Sequence, residues 1–266
     1  TVRGASKGLL TESTDVEETS NQYGMITSFG SNGFTMTRGS SDGGKCCENT
    51  QTYVAWNWKA GGSSNTFNVD GTGYASASAA GITEGSISLT GASINKTSRF
   101  SIVTYTGNST DGATVGHGLG VEPSFVIIKS RNLGTVGTAG AHWSVSHQSL
   151  TGGLNGGSSA KKVFLSLTNG ETGNSHGTVS AASSTTVTFK DGTGNSDDAH
   201  VNNSSGNYVM YSWAEVPGYS KFGSYTGNGN ADGTFVFLGF RPAWIMVKST
   251  GTEGWHITDI KRDSFN

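Results

Sequence analysis

Leu119-Gly120-Val121-Glu122-Pro123-Ser124-Phe125-Val126-Ile127-Ile128-Lys129-Ser130 is answered further along the chain by Leu238-Gly239-Phe240-Arg241-Pro242-Ala243-Trp244-Ile245-Met246-Val247-Lys248-Ser249. The match extends outward. Ser98-Arg99-Phe100, Tyr105-Thr106-Gly107-Asn108 and Asp111-Gly112 precede the first stretch; Ser220-Lys221-Phe222, Tyr225-Thr226-Gly227-Asn228 and Asp232-Gly233 precede the second. Tyr53-Val54-Ala55-Trp56-Asn57-Trp58 corresponds to Tyr208-Val209-Met210-Tyr211-Ser212-Trp213, and Trp143-Ser144-Val145-Ser146-His147 to Trp255-His256-Ile257-Thr258-Asp259. A period of roughly 120 residues is domain-sized, well beyond a solenoid unit.

The repeat predicts two β-rich units, residues 1–142 and 143–254, with residues 255–266 opening a third. A Gly/Ser/Ala-rich run from about Ala60 to Thr97 has no counterpart in the second copy. It is expected to be an inserted hairpin or a long surface loop, since insertions concentrate in surface connections. Thr1-Val2-Arg3-Gly4 resembles the segment around Ile260-Lys261-Arg262-Asp263. Two explanations stay open: a piece of a longer array, or ends completed by neighbouring molecules.

Gly, Ser, Thr and β-branched residues interrupt every helical window, while strand signals are plentiful. Thr185-Thr186-Val187-Thr188-Phe189-Lys190 alternates and ends in Asp191-Gly192, and Lys162-Val163-Phe164-Leu165-Ser166-Leu167 runs into Thr168-Asn169-Gly170. Phe125-Val126-Ile127-Ile128, Phe235-Val236-Phe237-Leu238 and Trp244-Ile245-Met246-Val247 are continuous apolar runs, as expected of strands packed on both faces. The expected fold is all-β: tandem β-sandwich or jelly-roll-like domains with Gly/Ser-rich loops.

Charged residues make up only 14% of the chain, and 41 of its 266 residues are glycine. Typical domains carry about 25% charge, so hydroxyls and amides must supply solubility here. That balance suits an extracellular or virion surface. The net charge is −2 and no basic stripe occurs, which gives nucleic-acid binding little support. No run approaches the length of a membrane-spanning helix, so membrane insertion is not expected.

Cys46 and Cys47 are adjacent, in a Gly-Lys-Cys-Cys-Glu-Asn loop without zinc spacing. They read as two loop thiols, a vicinal disulfide being the alternative. Val54, Trp56 and Trp58 share one strand face by the period-2 rule, as do Val209, Tyr211 and Trp213. An aromatic kept on the same face in both copies favours a core role over a sugar platform. The histidines (117, 142, 147, 176, 200 and 256) lack the acidic partners of a metal signature. Asp111-Gly112 and Asp232-Gly233 are explained by turn chemistry, and Asp197-Asp198 lacks calcium-loop spacing. The sequence nominates no catalytic pair, cofactor site or metal site.

Three polar stretches differ between the copies and are candidate surface-contact loops. They are the run from Ala60 to Thr97 with Asn65 and Asp70, the loop of Lys45, Cys46 and Cys47, and Asp191 to Gly206 with Asn195, Asp197, Asp198 and Asn202.

Thr1-Val2-Arg3-Gly4-Ala5, Tyr53 to Gly62, Phe100 to Asn108, Val115 to Arg131 and Tyr208 to Lys248 resemble a domain in tail-fibre-like proteins of marine and aquatic bacteriophages. The resemblance implies a virion or cell-surface context and no defined ligand. Together with the repeat and the polar loops it leads to the expectation of a non-enzymatic structural and host-adhesion component of a phage virion, with other virion or fibre proteins as partners, homo-oligomers such as trimers by analogy with phage fibres, and a host cell-surface glycan as a candidate target. It brings no catalytic residue. A head-to-tail filament subunit and a lectin-like module are the alternatives, the latter requiring exposed tryptophans; a polysaccharide depolymerase ranks last.

Overall fold

The computed structural model describes residues 2–19, 22–136, 139–191 and 199–262. Among them the chain is all-β, with one turn of 3-10 helix at Gly157–Ser159. A first hairpin joins β1 (Met25–Phe29) and β2 (Phe34–Thr37). Then come β3 (Phe67–Val69), β4 (Thr72–Tyr74), β5 (Leu89–Asn95), β6 (Phe100–Thr106), β7 (Thr114–Gly116) and β8 (Phe125–Ser130). The short pair β9 (Thr135–Val136) and β10 (Ala139–Gly140) precedes β11 (Ser144–His147) and β12 (Val163–Phe164). The remainder are β13 (Thr178–Ala182), β14 (Thr186–Lys190), β15 (Asn207–Trp213), β16 (Trp244–Lys248) and β17 (Trp255–Asp259).

An eight-stranded sheet in the order β12-β11-β8-β15-β6-β5-β3-β4 faces a three-stranded sheet, β13-β14-β7. All neighbours in both sheets are antiparallel except β3 and β5. Between the sheets lies the main core. Val103, Tyr105, Val126, Ile128, Tyr208 and Met210 enter it from the large sheet, and Val115, Val179, Val187 and Phe189 from the small one. Tyr105 stacks on both Phe189 and Tyr208, and its hydroxyl donates to the Val201 carbonyl at 2.7 Å. That bond offsets the cost of burying the phenol.

The large sheet is covered on its other face too, by a second cluster of Ile127, Trp143, Val145 and Val163 with Leu9, Tyr211, Trp213 and Trp255 against it. This explains the unbroken apolar run of β8. Val126 and Ile128 point to one core and Ile127 to the other. The N-terminal segment is tied down over this face: Trp143 Nε1 donates to the Leu10 carbonyl at 2.8 Å, and Glu17 accepts from Arg3 at 2.6 Å and Arg131 at 2.9 Å.

Several expectations are corrected. Strands from both sides of the expected 142/143 boundary lie in one sheet: β15 runs between β6 and β8, and β11 pairs with β8. That boundary therefore does not divide two cores. The boundary at 254/255 likewise falls inside the β16–β17 hairpin. Of the two alternatives for the run from Ala60 to Thr97, the hairpin is met, as β3–β4, and the surface loop is not. The run carries β3, β4 and β5, and buries Val69, Ala77, Ile82, Ile87, Ala92 and Ile94 in the main core. Of its small residues, Ala77, Ala80 and Ala92 pack in that core, while Ala75, Ser76, Ser78 and Ala79 are exposed.

The segment Tyr53–Trp58 belongs to no sheet among the described residues, and Tyr53, Val54, Trp56 and Trp58 are all exposed. Phe235–Leu238 forms no strand, with Phe235 86% exposed. Of Lys162–Leu167, Val163–Phe164 pairs with β11 and Lys162 forms a single antiparallel bridge with Thr172.

The structure also reveals a correspondence that residue identity conceals. In the hairpin β1–β2, Met25 faces Thr37, Ile26 faces Met36, Ser28 faces Thr35 and Phe29 faces Phe34, with a bulge between Ile26 and Ser28. In β13–β14, Thr178 faces Lys190, Val179 faces Phe189, Ala181 faces Thr188 and Ala182 faces Val187, with a bulge between Val179 and Ala181. Each hairpin follows a glycine of positive φ, Gly24 at 88° and Gly177 at 85°. Likewise β16–β17 pairs in the register of β8–β11: Ile245 with Thr258 where Val126 pairs with Ser146, and Met246 with Ile257 where Ile127 pairs with Val145. One complete β unit is thus flanked by two partial copies of itself.

Candidate contact surface

The nominated residues do not converge. Lys45 forms an ion pair with Glu18, and both Cys46 and Cys47 are free thiols whose N–H groups donate to the Gly43 carbonyl. Burial, with Cys47 adding to it, pushes the Cys46 thiol up, the direction that makes it less nucleophilic. Asn65 is exposed beside Ser63, whose hydroxyl donates to Asn65 Oδ1 at 3.1 Å. Asp70 occupies the β3–β4 turn at φ 47°, and its Oδ1 accepts from the Lys96 N–H at 2.9 Å. Both fit surface positions.

Asn202 does not. It is fully buried, its Oδ1 accepts from the Asn108 N–H at 3.0 Å, and its Nδ2 donates to the Thr110 carbonyl at 3.1 Å. The amide clamps the Thr-Gly-Asn turn after β6, which is a structural role. Asn195, Asp197 and Asp198 lie outside the described residues.

The buried ionisable groups are internally satisfied. Lys162 donates to His200 Nδ1 at 2.9 Å, to the Ser175 carbonyl at 2.7 Å and to the Gly177 carbonyl, using the three protons of an ammonium. Because His200 Nδ1 accepts, its Nε2–H donates to the Gly140 carbonyl at 3.0 Å. Burial first, and then the Lys162 charge, drive His200 down to about 2. His117 is neutral for the same main reason, its pKa lowered to about 4 by burial. Its Nδ1 accepts from the Leu119 N–H at 3.2 Å, which leaves Nε2–H for the Ser183 carbonyl. Lys129 and Lys248, matched between the copies, donate to the carbonyls of Ser130 and Ser249 that follow them. Among the described residues no three His, Cys, Asp or Glu side chains are grouped to hold a metal ion, and no helix is long and apolar enough to cross a membrane.

What reaches the surface is aromatic. Tyr53, Trp56 and Trp58 run along one exposed segment; Trp58 meets Trp213 at 6.4 Å and Trp244 at 5.3 Å, both edge-on, and Arg262 lies over the Trp56 ring at 5.6 Å. The core placement expected for Trp56 and Trp58 is therefore corrected. Alternation specifies which side chains share a face, but burial requires another layer packed on that face. Near the same end of the large sheet, an open hollow is lined by Glu215, Pro217, Lys221 and Phe237. Glu215 there is engaged by Lys221 at 2.8 Å and by the Phe222 N–H at 3.0 Å. The surface offers ring faces, hydroxyls and amides.

Residues 1–266 match the model of a family described as a domain of unknown function (DUF7483), and the chain belongs to that family. Neither the curated proteins nor the solved structures contain a match.

Proposed function

We propose that this chain is a non-enzymatic structural and host-adhesion component of a bacteriophage particle, a segment of a tail fibre or related appendage. The observation that carries the reading is the recurrence of one β unit within the chain, down to hairpin register and bulge position. Appendages gain length by repeating a self-supporting module, and many weak contacts along them sum to avidity. The resemblance to tail-fibre-like proteins supports the same reading, as does a surface dominated by hydroxyls and amides. In this role the partners are other fibre proteins and further copies of the chain, arranged as a homo-oligomer such as a trimer. The polar loops around Asn65, Asp70 and Lys45 would face a host cell surface.

Antibodies raised against the chain, applied to particles from a lysate that expresses it, test this directly. Gold label on a particle appendage supports the proposal; label confined to soluble protein or to host filaments overturns it.

A lectin-like module is the second reading, favoured by the exposure of Tyr53, Trp56 and Trp58. Stacking of sugar rings on these faces predicts retention on a glycan array that Trp56→Ala abolishes. An array without any bound glycan removes this reading and leaves the structural one intact.

A further inference from the structure

The complete unit has a central strand that arrives late. β15 enters between β6 and β8, antiparallel to both, so that Met210 faces Val103 on one side and Ile128 on the other. Trp213 closes the end of this strand against Phe125, with ring centroids 5.3 Å apart.

The flanking copies hold the parts of a second such unit, distributed between them. Tyr53–Trp58 is the counterpart of β15, and β1–β2 is the counterpart of β13–β14. In the C-terminal portion, Phe222–Thr226 stands for β6, and β16–β17 for β8–β11. Between them the two portions supply counterparts of β6, β8, β11, β13, β14 and β15, while β3–β5 and β12 have none. Among the described residues β16 is paired along one edge, with β17, in a two-stranded sheet. Tyr53–Trp58 has the sequence of a central strand and, among the described residues, no strand paired with it.

Gly107 and Gly227 show the same gap from another direction. A methyl group at Gly107 would sit 2.3 Å from the Asn203 carbonyl, so the Tyr-Thr-Gly-Asn motif needs glycine where the segment before β15 presses on it. At Gly227 nothing lies within 4 Å. The C-terminal motif keeps the glycine of a contact whose other half is the segment before Tyr53.

One contact is already in place. Trp58 corresponds to Trp213 and Trp244 to Phe125, and their rings are also 5.3 Å apart. We propose that Tyr53–Trp58 is the central strand of a second β unit formed within this chain, inserted antiparallel beside β16 and before Phe222–Thr226 in the register that β15 holds beside β8. The occupant is the chain's own segment. The Trp58–Trp244 contact brings that segment to the slot, and a tethered strand has a large concentration advantage over one from solution.

In this register Ala55 faces Val247, Trp56 faces Met246, and Asn57 faces Ile245. Insertion covers both sides of the aromatic segment and satisfies its backbone donors and acceptors. Ile26, Phe34 and Met36 then stand where Val179, Val187 and Phe189 stand in the main core.

Cross-strand cysteines test the register. In a Cys46→Ser, Cys47→Ser background, Asn57→Cys is combined with Ile245→Cys, and separately Ala55→Cys with Val247→Cys. Asn57 and Ile245 are exposed in the chain as it stands, so these changes spare the main core. The control shifts the register by one, Asn57→Cys with Met246→Cys, which puts the two thiols on opposite faces. Circular dichroism matching the background protein establishes that each variant is folded. After mild oxidation, non-reducing mass spectrometry should find an intrachain disulfide in at least one registered pair, formed at least tenfold faster than in the control. Disulfides joining two chains would overturn the proposal in favour of strand exchange between copies. Equal rates for registered and shifted pairs, or no disulfide in any folded variant, would overturn it outright.

Discussion

Val115 and Val236 stand at the same distance after matching Asp-Gly turns, yet Val115 is fully buried between two sheets while Val236 is 40% exposed. Tyr208–Trp213 and Tyr53–Trp58 differ in the same sense: one is the central strand of a sheet, the other an exposed aromatic ribbon. Intrinsic strand preference is similar in the two copies, so preference does not decide burial. Burial is decided by whether flanking strands are present to cover both edges and both faces. The complete unit has its late strand returning between β6 and β8; the flanking copies show the same parts before they are joined.

The sharpest way to break this comparison is at Phe189, fully buried and stacked on Tyr105. Phe189→Ala should cost about 3–5 kcal/mol by urea denaturation, the range for removing a buried phenyl ring. A cost below 1 kcal/mol would mean that the two sheets do not enclose a tight core. Next comes Gly107→Ala, which forces a methyl group against the Asn203 carbonyl. It should destabilise by about 2–3 kcal/mol, and a neutral outcome would remove the contact that distinguishes Gly107 from Gly227.

The buried histidines give the complete unit a pH signature. His117 and His200 have pKa values held below the ordinary 6.5 by burial, and His142 and His147 are lowered too. Between the folded and unfolded values the unfolded chain binds more protons, so stability rises with pH there and is lost as pH falls below 6.5. By pH 5 a histidine shifted as far as His117 contributes a loss of roughly 2 kcal/mol. The urea midpoint should therefore fall between pH 7 and pH 5, and His117→Asn should make that fall shallower. An unchanged midpoint would show that these rings are solvated. The smallest effect belongs to the flanking copy. Phe235→Ser, at an 86% exposed position, should change stability by less than about 0.5 kcal/mol. A loss above 1 kcal/mol would place this ring inside a core.

The all-β class and the repeat were legible in the sequence because Tyr-Thr-Gly-Asn, Asp-Gly and the Lys-Ser run recur as identities. The correspondence of β1–β2 with β13–β14 was not, since it survives only as strand register and bulge position: Met-Ile-Thr-Ser-Phe stands for Thr-Val-Ser-Ala-Ala. Domain limits were misplaced because strand order in a sheet need not follow chain order, and β15 crosses the expected boundary to pair with β6. The run from Ala60 to Thr97 looked like loop because Gly, Ser and Ala are common in loops, although small side chains also suit tight core packing at Ala77 and Ala92. Asn202 was misplaced for a related reason. Its composition matches an exposed turn, and nothing local signals that its amide bonds to Asn108 and Thr110 across the fold.

Hydrogen exchange read by mass spectrometry, residue by residue across β6, β8 and β15, tests the central claim that one sheet spans both repeats. The account predicts that Asn207–Trp213 exchanges as slowly as Phe100–Thr106 and Phe125–Ser130 and opens together with them, while Trp244–Lys248 exchanges faster than its counterpart Phe125–Ser130. Opening of β15 with β16–β17, independently of β6 and β8, would contradict it and restore a division of the chain near residue 142.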